Sequence, residues 1–257
     1  MNRLVLPEGP VWLASDLHLS ESTPATQEAF LGFLQAAAGE AAALLLPGDI
    51  FNTWIGDDVI TDPEPWLAQA LDGLKTAAAR LPVYLGRGNR DFLMGRRLAR
   101  ALGAHLLPDS VLAKTAYGDV LLSHGDEYCT DDEAYQRWRR KSRNPIVQRI
   151  FLLRSLASRQ DFARRAREKS MAAKRDTPPA IMDVNPQAVE KAFRESGARL
   201  MVHGHTHRPA RHVLTVDGRQ CERWVLPDWD LDHAEPPRGG WLVIDADGPQ
   251  FYDLESA

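Results

Sequence analysis

The sequence predicts an α/β protein that carries a helical insertion. Short apolar runs of the β type alternate with helical patterns over the first 130 residues, which is typical of proteins whose strands and helices alternate. From about residue 131 to residue 177 the chain is basic and rich in helix formers, and strand patterns return after it. We therefore predict one discontinuous domain, residues 1–130 and 178–257, with an inserted helical cap at residues 131–177.

The first part of the chain alternates strands with helices and then forms a hairpin. The predicted strands are Val11–Ser15, Ala43–Leu46 and Pro82–Gly86, and the predicted helices are Thr26–Ala38, Trp66–Ala79 and Gly95–Leu102. Gly118 and Asp119 form a turn between two further strand patterns, Val111–Tyr117 and Val120–Ser123. This order predicts strands that feed a single sheet.

The insertion and the segment after it differ in pattern. Ile146, Ile150, Leu153 and Ala157 recur at helical spacing, and Pro178-Pro179 ends the helical region. The last third carries strand patterns at Arg199–Val202, His212–Leu214, Arg223–Leu226 and Trp241–Ile244. We predict that these strands form antiparallel β structure.

The formal net charge of −4 conceals an uneven distribution. Residues 136–175 hold 14 lysines and arginines against Asp161 and Glu168, whereas the rest of the chain is acidic. This excess, beside apolar residues such as Trp138 and Phe151, is typical of a segment that meets a membrane surface or acyl chains. A nucleic-acid surface is less favoured because stacking aromatics are sparse in the segment.

Composition excludes several other classes of protein. Two cysteines, Cys129 and Cys221, are too few for a disulfide framework and lack the spacing of a zinc site, so we expect reduced thiols. No signal-peptide pattern is present, and no apolar run approaches the roughly 20 residues that span a bilayer. Any contact with a membrane is therefore expected at its surface.

Five clusters of metal-ligand residue types follow predicted strands. Ligands of α/β sheets bind beyond the carboxyl ends of the strands, so loops that converge there build one site. Each cluster alone would be an ordinary turn or a packed residue, but chance does not explain all five in this arrangement. Within the last cluster we assign His203 to packing or to support of the ligands. The clusters are Asp16-Leu17-His18, Gly48-Asp49, Gly88-Asn89-Arg90-Asp91, His124-Gly125-Asp126 and His203-Gly204-His205-Thr206-His207.

The residue types in these clusters indicate the chemistry of the site. Mixed carboxylate, imidazole and amide ligands suit Mn, Fe or Zn better than the all-oxygen shells of Ca²⁺ and Mg²⁺. Asp49 could bridge two ions, and two ions about 3.5–4 Å apart activate a phosphoryl group for hydrolysis. Asn89 offers a carbonyl oxygen to an ion, and the planar guanidinium of Arg90 suits phosphate oxygens.

In this order the clusters resemble the five sequence blocks of the calcineurin-like metallophosphoesterases. The resemblance implies a four-layer αββα sandwich of two sheets flanked by helices. Most of that superfamily has a histidine where this chain has Arg90, which weakens a general protein-phosphatase interpretation. The resemblance also implies two ions, one held by Asp16, His18, Asp49 and His207, the other by Asp49, Asn89, His124 and His205.

Longer strings resemble a narrower family, the bacterial UDP-2,3-diacylglucosamine diphosphatases of lipid A synthesis. The strings are Phe51–Asp58, Gly88–Leu93, His124–Asp126 with Cys129–Asp132, Ile181–Asn185 and His203–Pro209. That family has a helical cap that covers the metal site and holds the glucosamine and acyl chains. By this resemblance Asn89, Arg90 and His124 are catalytic, and the substrate contacts are Asn89, Arg90, Asp132, Ser170, Lys174, Thr177 and His205.

The resemblance implies an enzyme that hydrolyses UDP-2,3-diacylglucosamine to UMP and 2,3-diacylglucosamine 1-phosphate. It implies two Mn²⁺ ions per chain, although the ligand types alone also allow Fe or Zn. We expect a cytoplasmic protein that lies peripherally on the inner membrane through its basic cap, with no nucleic-acid partner and no obligate protein partner. Asp57 and Asp58 are expected to support the site or contact the cap, or else to lie in a surface loop.

Three alternatives stay open at this point. A dinuclear phosphoesterase could act on another phosphodiester or nucleotide substrate. The fold could be a non-catalytic scaffold, although none of the expected ligands is missing from the sequence. The basic segment could belong to a nuclease or a nucleic-acid-binding protein.

Overall fold

The computed structural model describes residues 1–176 and 183–254, with the backbone alone for residues 169–176. The helices are α1 (Pro24–Glu40), α2 (Pro65–Ala78), α3 (Arg96–Leu102), α4 (Glu133–Ser142), α5 (Pro145–Leu152), α6 (Leu156–Asp176) and α7 (Pro186–Ser196). The strands are β1 (Arg3–Val5), β2 (Val11–Leu13), β3 (Ala43–Leu46), β4 (Val83–Leu85), β5 (His105–Leu106), β6 (Ser110–Lys114), β7 (Asp119–Ser123), β8 (Leu200–His203), β9 (Ala210–Val216), β10 (Arg219–Val225), β11 (Gly240–Ile244) and β12 (Pro249–Asp253).

The strands form two six-stranded sheets. One has the order β12-β11-β2-β3-β4-β5, with β2 to β5 parallel, and the other has the order β1-β6-β7-β8-β10-β9. The prediction of a single sheet is therefore wrong, because the β6–β7 hairpin pairs with β1 and β8 instead of extending the first sheet. The two-sheet sandwich implied by the family resemblance is confirmed.

Alternation of side chains along the strands builds four layers. Leu45 of the first sheet and Leu122 of the second belong to the buried core between the sheets. Leu44, the neighbour of Leu45, lies instead in the core that α1, α2 and α3 form on the outer face of the first sheet. On the outer face of the second sheet, Met201 packs in one core with Phe193 of α7. The order of layers is helix, sheet, sheet, helix.

The C-terminal third is only partly antiparallel. β9 pairs antiparallel with β10, and β11 with both β12 and β2. The prediction is wrong for β8, which runs parallel to β7 and to β10. β7 lies on the other side of the helical insertion in the sequence, so no local pattern could show that the two strands pair.

Three helices, α4 to α6, occupy the region predicted as the cap. Asp132 caps α4 by accepting a hydrogen bond from the backbone N–H of Tyr135, and Asn144 caps α5 in the same way. Among the residues described, no helix is both long and apolar enough to cross a bilayer. The bounds of the cap as a separate unit stay a prediction, since residues 177–182 lie outside the described residues.

An arginine of α6 fixes the helical insertion to the core. Arg159 is only 2% exposed. Its guanidinium forms a two-pronged ion pair with Asp58 and donates a hydrogen bond of 2.6 Å to the carbonyl oxygen of Ile55. The hydrogen bond from Arg159 lowers the pKa of Asp58. Asp58 is therefore a carboxylate of the core that holds α6 in place.

Asp57, the neighbour of Asp58, belongs to the core. Its carboxylate accepts hydrogen bonds from the backbone N–H groups of Gly95, Arg97 and Leu98, where α3 begins. The indole N–H of Trp54 donates to it as well, at 3.1 Å. The string Trp-Ile-Gly-Asp-Asp thus ties one helix of the core and one helix of the insertion to a single loop.

Replacing Asp58 by alanine should loosen α6 while leaving the core folded. The substitution leaves a buried guanidinium without its carboxylate, which is costly. We expect amide hydrogens of α6 to exchange with solvent roughly fivefold faster or more, measured by hydrogen–deuterium exchange, with unchanged exchange in β2 and β3. Asp161→Ala, which removes an exposed ion pair on the same helix, is the control. Unchanged exchange in α6 would show that Asp58 does not hold it.

Candidate metal centre

The five predicted clusters meet in the space where the carboxyl ends of strands from both sheets come together. Asp16 and His18 follow β2, Asp49 follows β3, and Asn89 and Arg90 follow β4, all in the first sheet. The other clusters come from the second sheet: His124 follows β7, and His205 and His207 follow β8. The site therefore lies at the seam of the sandwich and not at the edge of one sheet.

Strained backbone is concentrated at this seam. Among the described residues, six that are not glycine have positive φ, and five of them are predicted ligands. Left-handed backbone is unfavourable for residues with a side chain and persists where the surroundings impose it, commonly at functional sites. The five ligands are Asp16 (55°), His18 (50°), Asp49 (51°), His205 (69°) and His207 (53°).

Two glycines allow the clusters to approach one another. A Cβ atom on Gly88 would lie 2.0 Å from Asp49 Oδ1, and one on Gly204 would lie 2.1 Å from Asp16 Oδ2. Neither carboxylate could stay in place beside a larger residue. The glycine before Asn89 and the glycine before His205 are thus required by close packing of the site.

The first group of ligand atoms comprises side chains of Asp16, His18 and His207, which lie within 4.8 Å of one another. His207 Nε2 is 3.2 Å from Asp16 Oδ1 and 3.3 Å from His18 Nε2. Asp49 Oδ2 lies 3.9 Å from His18 Nδ1, at the side of this group that faces the second one. The four residues predicted for one ion are therefore brought together.

The second group contains Asp49, His124 and Asn89. Asp49 Oδ2 lies 3.8 Å from His124 Nε2, which in turn is 3.2 Å from Asn89 Oδ1. The ring of His205 is 5.1 Å from the ring of His124. Asp49 Oδ2 thus lies near both groups, as a bridging ligand would. Asp16 also lies within 4.8 Å of Asp49 and His124, closer to the second group than the predicted ligand set implies.

These residues fit divalent metal ions. His18 Nδ1 is buried and makes no hydrogen bond to any described residue, so it has a lone pair or a proton left to satisfy. Asp16 Oδ1 is buried as well, and its 3.2 Å contact with His207 Nε2 is one that a shared ion would also bring about. The donor set of carboxylate, imidazole and amide oxygen suits Mn, Fe or Zn. Burial, followed by repulsion from Asp16, raises the pKa of Asp49. Positive ions would relieve that repulsion.

Known proteins share this sequence pattern. Residues 9–209 match the family model of the calcineurin-like phosphoesterases. The chain belongs to this family. It is 66% identical over 254 residues to a UDP-2,3-diacylglucosamine hydrolase of Bordetella pertussis, which covers 99% of this chain and 98% of that protein. It is 46% identical over 235 residues to the protein of the same name from Aromatoleum aromaticum, covering 91% and 93%.

Solved structures are more distant. A structure of vacuolar protein sorting 29 from Cryptosporidium parvum aligns with a TM-score of 0.47 and 14% identity, over 95% of this chain and 91% of that one. The family match includes all seven residues predicted as metal ligands and the helical insertion. The five-block resemblance to calcineurin-like phosphoesterases is confirmed.

Arg90 of the phosphoesterase is held beside Asp49. Its backbone N–H donates to Asp49 Oδ1 at 2.8 Å, and its side-chain Nη1 donates to Asn52 Oδ1 at 3.0 Å. Arg90 Nε lies 3.6 Å from Asp49 Oδ2, and the side chain is 25% exposed. A cation in this position, open on one side to solvent, can donate to phosphate oxygens at the metal centre.

The predicted substrate contacts in the insertion are only partly described. Asp132 is half-buried at the start of α4, where it accepts a hydrogen bond of 2.8 Å from the backbone of Tyr135. The ring of Tyr135 stacks against His205, with 6.0 Å between the ring centres. Ser170 and Lys174 lie on α6, but their side chains, like all of Thr177, are outside the described residues. His203 is buried and packs between Gly204 and Arg223, as assigned.

Two buried aspartates next to the ligands were not singled out from the sequence. Asp91 accepts hydrogen bonds from the backbone N–H groups of Gly88 (2.7 Å) and Ile50 (2.8 Å) and so joins two loops of the site. Burial and the neighbouring Asp49 raise the pKa of Asp91 to about 7. In the sequence, only its place in the string Gly-Asn-Arg-Asp indicates that Asp91 belongs to the site.

Asp228, which follows β10, orients a predicted metal ligand. Its Oδ2 lies 3.4 Å from His207 Nδ1 and accepts a hydrogen bond of 2.9 Å from Arg238. Burial opposes ionisation, but the hydrogen bonds from His207 and Arg238 outweigh it and lower the pKa of Asp228 to about 2. A carboxylate on the second nitrogen of a metal-binding histidine fixes the orientation of the ring. A lone aspartate after a strand gave no sequence signal.

Replacing Asp228 by asparagine should weaken Mn²⁺ binding by roughly tenfold, because an amide orients His207 less strongly than a carboxylate. Titration calorimetry with Mn²⁺ on the purified protein measures this. Asp247→Asn removes an exposed carboxylate from the turn between β11 and β12 and should bind Mn²⁺ as the wild type does. Equal Mn²⁺ affinity in Asp228→Asn and the wild type would contradict the assignment.

Proposed function

We propose that the chain hydrolyses the pyrophosphate bond of UDP-2,3-diacylglucosamine, giving UMP and 2,3-diacylglucosamine 1-phosphate. One observation supports this most strongly: identity of 66% over nearly the full length of a relative that carries the name UDP-2,3-diacylglucosamine hydrolase. That similarity includes the helical insertion as well as the metal centre. The substrate-binding part and the catalytic part of the two proteins therefore correspond.

The site residues have distinct roles in this proposal. Two divalent ions, held by the two ligand groups, would supply Lewis acidity and favour deprotonation of water near the α-phosphorus. Arg90 donates hydrogen bonds to the non-bridging phosphate oxygens as negative charge develops on them. The amide N–H of Asn89 and the imidazole of His205 bind the pyrophosphate, and His124 would hold the second ion together with the carbonyl oxygen of Asn89. Mn²⁺ is the proposed ion, and Fe and Zn fit the same donors.

The insertion offers an apolar surface for acyl chains. Phe151 and Phe162 have ring centres 5.2 Å apart, and Trp138 stacks on Phe162 at 6.5 Å. Trp138 and Phe162 are each 40% exposed although they are large and apolar. We propose that the acyl chains lie along these rings. We propose further that Asp132, Ser170, Thr177 and one cation, Lys174 or Arg175, contact the rest of the substrate.

The outer face of α5 suits a membrane surface. Ile146, Ile150 and Leu153 recur at helical spacing and are 70%, 61% and 82% exposed. Arg149 lies on the same helix and Arg154 directly follows Leu153. Exposed apolar side chains flanked by cations insert into the surface of an anionic bilayer. We propose that the protein lies peripherally on the cytoplasmic face of the inner membrane through this face.

The double substitution Ile150→Ser, Leu153→Ser should weaken binding to vesicles by roughly tenfold, because two apolar side chains no longer enter the bilayer. Co-sedimentation with vesicles of phosphatidylglycerol and phosphatidylethanolamine measures the effect. Val213→Ser removes a comparably exposed apolar side chain (57%) from β9, the edge strand of the second sheet, and is the control. If both variants bind alike, α5 is not the docking face.

The substrate is tested by release of UMP. The purified protein with Mn²⁺ is given UDP-2,3-diacylglucosamine in one assay and bis(p-nitrophenyl) phosphate in another. The proposal expects UMP release that depends on added Mn²⁺ and is abolished by a chelator. Cleavage of the aryl phosphodiester without UMP release would assign the chain to another phosphodiester substrate.

A further inference from the structure

The first helix of the insertion, α4, contacts the loops next to the metal centre through two arginines. Arg139 Nε donates a hydrogen bond of 2.8 Å to Asp126 Oδ2, and Arg139 Nη2 donates one of 3.3 Å to Asp109 Oδ2. Arg143, at the end of α4, donates from Nη1 to Asp109 Oδ1 at 3.2 Å. Asp126 is fully buried and lies two residues after His124. The core thus offers two carboxylates to two cations of α4.

Arg143 also binds the loop that carries Asn89. Its Nη2 donates hydrogen bonds to the carbonyl oxygens of Arg87 (3.1 Å) and Gly88 (3.0 Å). These are the two residues directly before Asn89, so the guanidinium holds the backbone from which the Asn89 side chain projects. The fork geometry of a guanidinium allows one arginine to bind Asp109 and both carbonyls at once.

The rest of this loop is fixed from the opposite side. The N–H of Gly88 donates to Asp91 at 2.7 Å, and the N–H of Arg90 donates to Asp49 at 2.8 Å. These N–H groups therefore face the core, whereas the carbonyl groups of Arg87 and Gly88 face the insertion. Among the described residues, Arg143 is the side chain that donates to those carbonyls. Without Arg143, the carbonyl groups of Arg87 and Gly88 lose these hydrogen bonds and the loop is held from the core side alone.

The same helix holds the loop of His124. The hydroxyl of Tyr135 donates to Asp126 at 2.6 Å, and the amide of Gln136 donates to the backbone carbonyl of Asp126 at 2.8 Å. Asn89 and His124 face each other at 3.2 Å but come from different sheets. One helix of the insertion therefore sets both members of this pair.

We propose that Arg143 is a positioning residue, which sets Asn89 and Arg90 against His124 and so makes the integrity of the second metal group depend on docking of the insertion. Arg143 acts indirectly: its hydrogen bonds go to Asp109 and to the carbonyls of Arg87 and Gly88, and none goes to a predicted ligand. Its effect on lipid turnover rests on the proposed function, whereas its effect on metal binding does not.

Arg143→Ala should bind Mn²⁺ about tenfold more weakly at one of two sites and cleave bis(p-nitrophenyl) phosphate with a lower kcat, because Asn89 is less well placed. Arg143→Lys should recover part of both losses, since an ammonium can still donate to a carbonyl. Arg140→Ala is the matched control: Arg140 lies on the same helix, is exposed and has no hydrogen bond or ion pair among the described residues.

A merely structural role would produce a different pattern. If Arg143 only fastens the insertion, Arg143→Ala would lower the melting temperature and raise KM for the diacyl substrate, with Mn²⁺ affinity and aryl phosphodiester turnover unchanged. That result would overturn the proposal. Asp109→Ala offers a second route if Arg143→Ala does not fold, because Asp109 is 40% exposed and orients the same guanidinium. It should reproduce the weaker Mn²⁺ binding, and unchanged Mn²⁺ binding would count against the proposal.

The experiments also distinguish a wrong substrate assignment from a wrong assignment of Arg143. Mn²⁺ titration of these variants reports on the metal groups whatever the substrate is. Absence of UMP release by the wild type, together with weaker Mn²⁺ binding by Arg143→Ala, would reject the diacyl substrate and keep the positioning role.

Discussion

Asp49→Asn is expected to lower UMP release by about a thousandfold, the largest effect of any single substitution considered for this chain. Asp49 Oδ2 lies near His18 of one ligand group and His124 of the other, so the substitution removes negative charge from both. The measurement is UMP release at saturating Mn²⁺, together with the number of Mn²⁺ ions bound per chain. We expect fewer than two Mn²⁺ ions to be bound per chain.

Asp72→Asn is the matched control for this substitution. Asp72 is an exposed carboxylate on α2, and replacing it should leave turnover and Mn²⁺ binding unchanged. Asp49→Asn with more than half of wild-type turnover would contradict the metal assignment. It would also favour the alternative in which this fold is a non-catalytic scaffold.

Arg90→Ala is expected to lower kcat by about a hundredfold with a smaller change in KM. The guanidinium is placed beside the ligand groups by Asn52 and donates to oxygens whose negative charge grows in the transition state, so its removal affects the chemical step most. Arg90→Lys should lose less, because it keeps the charge but not the planar fork. Steady-state kinetics of UMP release separate kcat from KM.

The control for Arg90 is Arg96→Ala, an exposed arginine at the start of α3 that forms no ion pair among the described residues. It should behave as the wild type. A loss in Arg90→Ala that appears only in KM would mean that Arg90 binds the ground state of the substrate and does not stabilise the transition state.

The sequence was sufficient to predict which residues meet at the candidate site, because the ligand residue types stand in short local patterns. Each ligand cluster stands directly after an apolar strand run, and the residue types are visible without knowledge of the fold. The pairing of strands was not visible in the same way. β7 and β8 are neighbours in one sheet but are separated by α4 to α7 in sequence, so their parallel pairing depends on contacts that no local pattern contains.

Residues that act through distant partners were the ones missed. Asp228 contacts His207 across 21 positions of sequence, and Arg143 contacts Gly88 across 55. The sequence around a single aspartate or arginine does not indicate which distant residue it contacts. Asp91 and Asp126 were in the recognised strings, but their role in joining loops became visible only through the hydrogen bonds they accept.

The basic residues of the insertion fall into two groups. Arg139, Arg143 and Arg159 are paired with carboxylates of the core, so part of the basic excess fastens the insertion to the acidic body of the protein. The exposed cations of α5 and the segment after it face outward and are available for anionic surfaces. Charge counts alone could not separate these two groups, because the distinction depends on burial.

The most direct test of the central claim is hydrolysis of UDP-2,3-diacylglucosamine in H₂¹⁸O, with mass spectrometry of both products. Attack of water on the α-phosphorus at this metal centre places one ¹⁸O atom in UMP and none in 2,3-diacylglucosamine 1-phosphate. Label in the lipid phosphate would place the attack on the other phosphorus. No cleavage of this substrate in the presence of Mn²⁺ would contradict the proposed function itself.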